Sequence, residues 1–220
     1  MTRHTLRAAL ALTLGIALAA PGQAGEAADL VFADRAPWDV GANGLVWHLT
    51  RELPAVPDLT PSGEGTVTLS AGTDPSDGKP TVQLQEETPS RSRRIGPFPT
   101  SGGDPVVLYF LESTARDMAA LTGGSPYYIR NRIKDALFRG GEVRRANGVT
   151  TVEFAPFAND PNAARMWGFD TLSMRLVMGD DPRQPIRELV AETAGPVRPP
   201  TPPGAPAIAP APYRQRLVQQ

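Results

Sequence analysis

The residues of this chain best suited to chemistry follow a pair of glycines. Gly123-Gly124-Ser125 leads into Tyr127, Tyr128, Arg130, Asn131, Arg132 and Lys134. Ser125-Pro126 is a cap followed by proline at the first helical position. The free N–H groups of such a helix start attract anions. With guanidinium forks close by, Ser125, Arg130, Arg132 and Lys134 form a candidate site for phosphate, carboxylate or a lipid headgroup. The competing reading makes these cations the exposed face of the helix, opposite the stripe Ile129, Ile133 and Leu137 and paired with Asp135 and Glu142. A second basic cluster, Arg91, Arg93 and Arg94, lies in a proline-bounded segment that reads as a solvated loop.

Nucleophilic and metal chemistry have little to work with. The sequence holds no cysteine, which removes thiol catalysis, thiolate metal sites and disulfides. Of its two histidines, His4 falls in the N-terminal segment, and His48 stands beside Trp47 in a strand pattern, too few for a histidine metal site. A Ser-His-Asp triad has no G-x-S-x-G elbow to mark its nucleophile. There is no P-loop, dinucleotide fingerprint or zinc motif. Acids are available for a two-carboxylate hydrolase, namely Glu86, Glu87, Glu112, Asp117, Asp160 and Asp170. Glu86 and Glu87, adjacent on a strand, point to opposite faces and make poor partners. The runs at 159–162 and 179–182 match turn chemistry rather than a calcium loop. No catalytic residue, metal ligand or cofactor is therefore assigned.

The elements that must hold these residues read as follows. From 45 to 53, 66 to 71 and 80 to 86 apolar and polar residues alternate with the period of half-buried strands, as in an antiparallel meander. Asp104-Pro105 opens a helix predicted over 105–121, where the β-branched run 106–110 competes as a strand. Gly123-Gly124 ends it, and a second helix runs from Ser125-Pro126 to Gly140-Gly141. Asn147-Gly148 between 142–146 and 149–154 is a strong hairpin signal. Two further strands are predicted over 169–178 and 186–193. The fold class is α+β: a curved antiparallel sheet of about seven strands, in the manner of a half-barrel, packed on an inserted two-helix hairpin.

Domain boundaries follow from composition. Arg3, His4 and Arg7 precede the apolar run 8–20, which is too short to span a bilayer and leads to small-x-small at 22–24. This is the layout of a secretory leader cleaved after Ala24, with no cysteine after it to carry a lipid anchor. The 196 residues beyond it carry 20 basic and 23 acidic side chains, a balance that does not suggest nucleic acid. Only Lys79 and Lys134 are lysines, so arginine is the default cation here. The segment 25–195 is expected to form one α+β domain. From 196 to 220 eight prolines crowd together, and the segment reads as an extended, disordered tail, with PxxP-type docking as the functional alternative.

Residues 122–137 (TGGSPYYIRNRIKDAL) and 156–166 (PFANDPNAARM) resemble segments of an uncharacterised alphaproteobacterial family of exported proteins. The resemblance implies a Gram-negative periplasm and brings no activity, substrate or site residue with it. Half-open sheets cradling helices also occur in periplasmic lipoprotein carriers, a likeness of fold alone. Function then reads first as a non-enzymatic periplasmic module that binds an envelope component, whether lipid, anionic ligand or protein, with Met118, Met166, Met174 and Met178 as adaptable lining or plain core. The alternatives are the carboxylate hydrolase of cell-wall or polysaccharide material and a structural adaptor working through the proline-rich end. Intact mass of the chain recovered from the periplasm of an expressing Gram-negative host is expected to begin at Gly25. A mass starting at Met1 would overturn the leader.

Overall fold

The computed structural model describes residues 25–220 apart from 36, 37, 58, 182, 202 and 205. The expected leader and its cleavage point lie outside the described residues. Alternation delivers the first strands much as expected: β1 (Leu45–Glu52), β2 (Gly63–Thr73) and β3 (Pro80–Thr88) form an antiparallel meander, with Trp47, Leu49, Val67, Leu69 and Leu84 fully buried on one face. A fourth strand, β4 (Arg91–Pro99), extends it where a loop was expected. Its two prolines are tolerable because β4 is an edge. Gly96 and Pro97 together stand against Gln83, a bulge that ends regular pairing.

The chain then leaves the sheet for α2 (Pro105–Thr122) and α3 (Pro126–Gly140), after a short α1 (Glu26–Val31) at the start of the described chain. The β-branched run 106–110 is helical because Asp104 caps it, its Oδ1 accepting from the Val106 N–H at 2.8 Å, and Pro105 occupies N1. Gly123, at φ 70°, closes α2 in the left-handed conformation that favours glycine. The buried stripe of α3 is Ile129, Ile133 and Leu137, as its spacing predicts. α1 packs on α3 and β5, and a side chain on Gly141 would collide with Ala27.

Strands resume with the hairpin β5 (Glu142–Ala146) and β6 (Val149–Phe154), whose Asn147 and Gly148 both have positive φ, the requirement of the tight turn that Asn-Gly announces. β7 (Ser173–Gly179) and β8 (Glu188–Glu192) continue inward. Residues 169–171 form a single 3-10 turn rather than the start of β7.

The last strand corrects the domain plan. Residues 196–220 were expected to be a disordered tail, yet Arg214–Gln219 form β9, hydrogen-bonded between β1 and β8. The sheet order is β4-β3-β2-β1-β9-β8-β7-β6-β5, open at both ends and antiparallel throughout. Two meanders, one of four strands and one ending in β9, are thus joined at the middle by the end of the chain. The proline-rich stretch before it is a loop pinned at its base, where Val197 and Ala211 exchange backbone hydrogen bonds at 2.8 and 3.2 Å. The domain therefore continues through residue 219, and a boundary at 195 would cut it.

α2 packs on β2, β3 and β8, and α3 on β6, so one face of the sheet is covered and holds the core. Met118, Met166, Met174 and Met178 are all buried there as core. Trp47 satisfies its indole N–H on the Ile186 carbonyl at 2.8 Å. No helix among the described residues is long and apolar enough to cross a membrane.

Leu217 is fully buried, worth about 1.5–3 kcal/mol by itself, and β9 also supplies ladders to two neighbours. Truncation after Pro212 is expected to abolish the cooperative thermal transition followed by circular dichroism. A pendant tail would leave Tm unchanged.

Candidate functional site

The sequence placed its candidate anion site at the start of α3, and the four side chains do not converge there. Ser125 caps the helix, its Oγ accepting from the Tyr128 N–H at 3.5 Å. Arg130 reaches across to α2 and grips Glu112 with two hydrogen bonds of 2.6 Å. Arg132 pairs with Asp160 at 2.7 Å, and Lys134 lies over the Phe138 ring at 5.8 Å. Arg130 and Lys134 rim one shallow apolar groove, while Ser125 borders a different depression beside Met166. The two arginines are paired, as in the competing reading, though with Glu112 and Asp160 rather than with Asp135 and Glu142. Asp135 takes Arg139 instead. His48 is half-exposed on the sheet face opposite the helices, 3.7 Å from Glu64.

A better-built site lies where α2 crosses β1, β3 and β4. Residues 109, 113 and 117 fall on one face of α2, a helical turn apart, and meet Arg51 from β1 and Glu86 from β3. The basic cluster expected in a loop belongs to β4: register places Arg93 opposite Glu86 and Ile95 opposite Leu84, so both join the helix-covered face. β2, lying between, carries Gly63 and Gly65 at the positions paired with Arg51 and Leu49, which leaves that end of the face without β2 side chains. The result is a cavity of about 390 Å³. Leu59, Ile95, Phe98 and Leu108 form its apolar wall.

Its polar wall is organised by two ion pairs. Arg51 Nη2 donates to both oxygens of Asp117, at 3.0 and 2.9 Å, and both side chains are about 95% buried. Tyr213, immediately before β9, adds its O–H to Asp117 Oδ2 at 3.1 Å. Burial pushes the Asp117 carboxyl up, with the Arg51 charge and hydrogen bond pulling the other way. Arg93 Nη2 donates to Glu86 Oε2 at 2.9 Å, with Glu86 buried and Arg93 partly exposed. Gln215 of β9 donates to Ser113 Oγ at 2.7 Å. At the rim, Glu112 accepts from Arg130 and from Arg116, and these hydrogen bonds hold its carboxyl below the usual range.

Several buried polar atoms around this cavity have no hydrogen-bond partner among the described residues: Arg51 Nε, Arg93 Nε, the Tyr109 hydroxyl and Gln215 Oε1. The first three belong to residues lining the cavity. Burial and the charge of Glu86 push the Tyr109 phenol up, so it stays protonated and able to donate. Leaving one such group unsatisfied costs about 1–3 kcal/mol, and native folds rarely gather three in one place without use. Three unspent donors therefore belong to residues that line the cavity beside an apolar wall, the chemistry of an amphipathic ligand with an acceptor head.

Three of the six acids named from the sequence, Glu86, Glu112 and Asp117, come together here, while Asp160 belongs to the Arg132 pair and Glu87 points away, exposed, as strand alternation requires. Arg51 and Tyr109 were missed. The available signal was Arg51 at an inward position of the β1 alternation, a charge where Leu49 and Leu53 predict an apolar side chain.

Replacing Asp117 by Ala leaves Arg51 buried and unpaired and is expected to cost about 3–5 kcal/mol in denaturant unfolding. Arg51→Met together with Asp117→Leu is expected to cost less than the sum of the single changes, a coupling read by the double-mutant cycle.

No family model matches this chain, and neither curated proteins nor solved structures give a match.

Proposed function

We propose that this protein is an exported, non-catalytic binding module of the periplasm, which takes an envelope component into the cavity between α2 and strands β1, β3 and β4. The observation that carries the proposal is the set of unpartnered buried donors, Arg51 Nε, Arg93 Nε and the Tyr109 hydroxyl, beside an apolar wall. The periplasmic setting rests on the leader pattern of residues 1–24 and on the resemblance of residues 122–137 and 156–166 to exported proteins. A sheet curved around α2, in the manner of a half-barrel, suits such a site at one end of a packed face. The rest of that face is filled: Trp47, Leu49, Phe110 and Leu121 are all fully buried. This favours a small or single-chain ligand over a large lipid carried between the layers.

The hydrolase reading has one observation in its favour, since Glu86, Glu112 and Asp117 line the same cavity. Both oxygens of Asp117 are already bound, and Glu112 is shared by two arginines. Acids held in this way keep their arginines in place and are poorly suited to exchanging protons with a substrate. The adaptor reading moves from a tail to the 196–212 loop, and deleting 196–220 would remove a central strand along with it.

Native mass spectrometry of the mature chain, released gently from the periplasm, is expected to show a retained non-protein mass. Arg93→Gln is expected to lower the retained fraction at least tenfold while preserving the far-ultraviolet circular dichroism. Bare protein mass from both wild type and variant, on material never exposed to detergent or extraction, would overturn the proposal.

A further inference from the structure

The cavity specifies more than an acceptor head, and its charge balance points to a class of ligand. Resting on the binding role proposed above, we infer that the ligand is a single-chain amphiphile with one negative charge on its head, a carboxylate or a phosphodiester, and that Arg93 and Tyr109 read the head. Four arginines line the cavity, Arg51, Arg91, Arg93 and Arg116, against the three carboxylates Glu86, Glu112 and Asp117. Two of the carboxylates neutralise Arg51 and Arg93 through short ion pairs, and Glu112 balances Arg116 while also serving Arg130 outside. Among the lining residues alone one positive charge is left over, four arginines against three carboxylates, which an anion of charge one neutralises. A dianion would overshoot, and a cation would add to the excess.

Geometry divides the ligand in the same way. Arg93 and Arg91 alternate with Ile95 along β4, so the cations precede the apolar positions Ile95 and Phe98 in strand order. Across from them Leu108 and Tyr109 are neighbours on α2, one apolar and one carrying the spare hydroxyl. Leu108 is 43% exposed, so its side chain is open to being covered by a chain. A head placed at Arg93 and Tyr109 accepts the Arg93 Nε–H and the Tyr109 O–H, while its chain runs along Ile95, Phe98, Leu59 and Leu108. About 390 Å³ sits at the small end of ligand pockets and admits one short chain rather than two.

Tyr109 separates this role from a structural one. Its hydroxyl has no partner among the described residues, so Tyr109→Phe removes a buried unsatisfied group and should not lower Tm. If the hydroxyl binds the head, the same variant must lose affinity.

The test is isothermal titration of the mature full-length chain with four probes of one chain length, all below their micelle concentrations. These are dodecanoate, a dodecanoyl lysophosphatidylglycerol, dodecanol and dodecyltrimethylammonium. At least one of the two monoanions is expected to bind ten or more times tighter than dodecanol, and the cation more weakly still. The stronger monoanion identifies the source of the head. Tyr109→Phe is expected to weaken that monoanion about three- to tenfold with Tm unchanged or raised, and Arg93→Gln to bring it down to the level of dodecanol. Equal binding of dodecanol, or tighter binding of the cation, would overturn the charge assignment and leave a binding cavity standing. If none of the four binds, the binding role fails with it.

Discussion

The whole structure depends on where its last six ordered strand residues go. β1 and β8 each have one edge that no other strand covers, and β9 fills both with two ladders. Without it the sheet divides into a four-stranded meander carrying α2's partners β2 and β3, and a second meander carrying α3's partner β6. Neither half could bury the face it presents to a helical hairpin that spans both. The chain therefore cannot complete its core until residue 219 is in place, and the helices, early in sequence, wait on the strand that comes last. A topology of this kind is rich in contacts between distant residues, which is the regime of slow folding.

The same strand reaches the candidate site. Tyr213 lies just ahead of β9 and Gln215 within it, and they bond Asp117 and Ser113 on α2. Asp117 in turn holds Arg51 of β1, the neighbour of β9 in the sheet. Three elements that meet at the centre of the sheet are thus tied by one buried polar network. Such a network is a poor source of stability, since desolvating Arg51 and Asp117 offsets most of their attraction. Apolar residues of the same shape would hold α2 as well, and would leave no donors facing the cavity. The polar choice is explained by what it exposes to a ligand, and by the single docking geometry that a satisfied Asp117 allows for α2 on β1 and β9.

Most of the fold was legible where side chains repeat with a period. Val67, Leu69 and Leu84 announced their strands, Ile129, Ile133 and Leu137 their helix, and Asn147-Gly148 its hairpin. Two strands escaped because their support is not apolar. β4 offers only Ile95 and Phe98 amid arginines and prolines, and its inward Arg93 is stabilised by Glu86 across the ladder, a pairing visible only once the register is known. β9 hides behind prolines, and its alternation of Gln215 and Leu217 with Arg214 and Arg216 resembles a solvated end. Its arginines are answered by Glu192 and Glu188 of β8, more than twenty residues earlier. The site was obscured for the same reason: local chemistry drew attention to the start of α3, whose arginines Glu112 and Asp160 absorb.

Arginine usage explains why those two clusters came out differently. With arginine as the default cation, a run of arginines carries little information, and what distinguishes a site is a guanidinium whose donors outnumber the acceptors around it. Arg130 and Arg132 each turn the Nε edge of the guanidinium to a carboxylate, Glu112 at 2.6 Å and Asp160 at 2.7 Å. Arg51 and Arg93 meet one carboxylate each under a helix, where the Nε–H of each stays buried and unmatched. A planar fork with five donors cannot be satisfied by a single carboxylate, so burying it under these conditions leaves capacity over. The cavity that the two guanidinia line also has Ile95, Phe98 and Leu108 in its wall, and its surroundings therefore match a molecule that is charged at one end only.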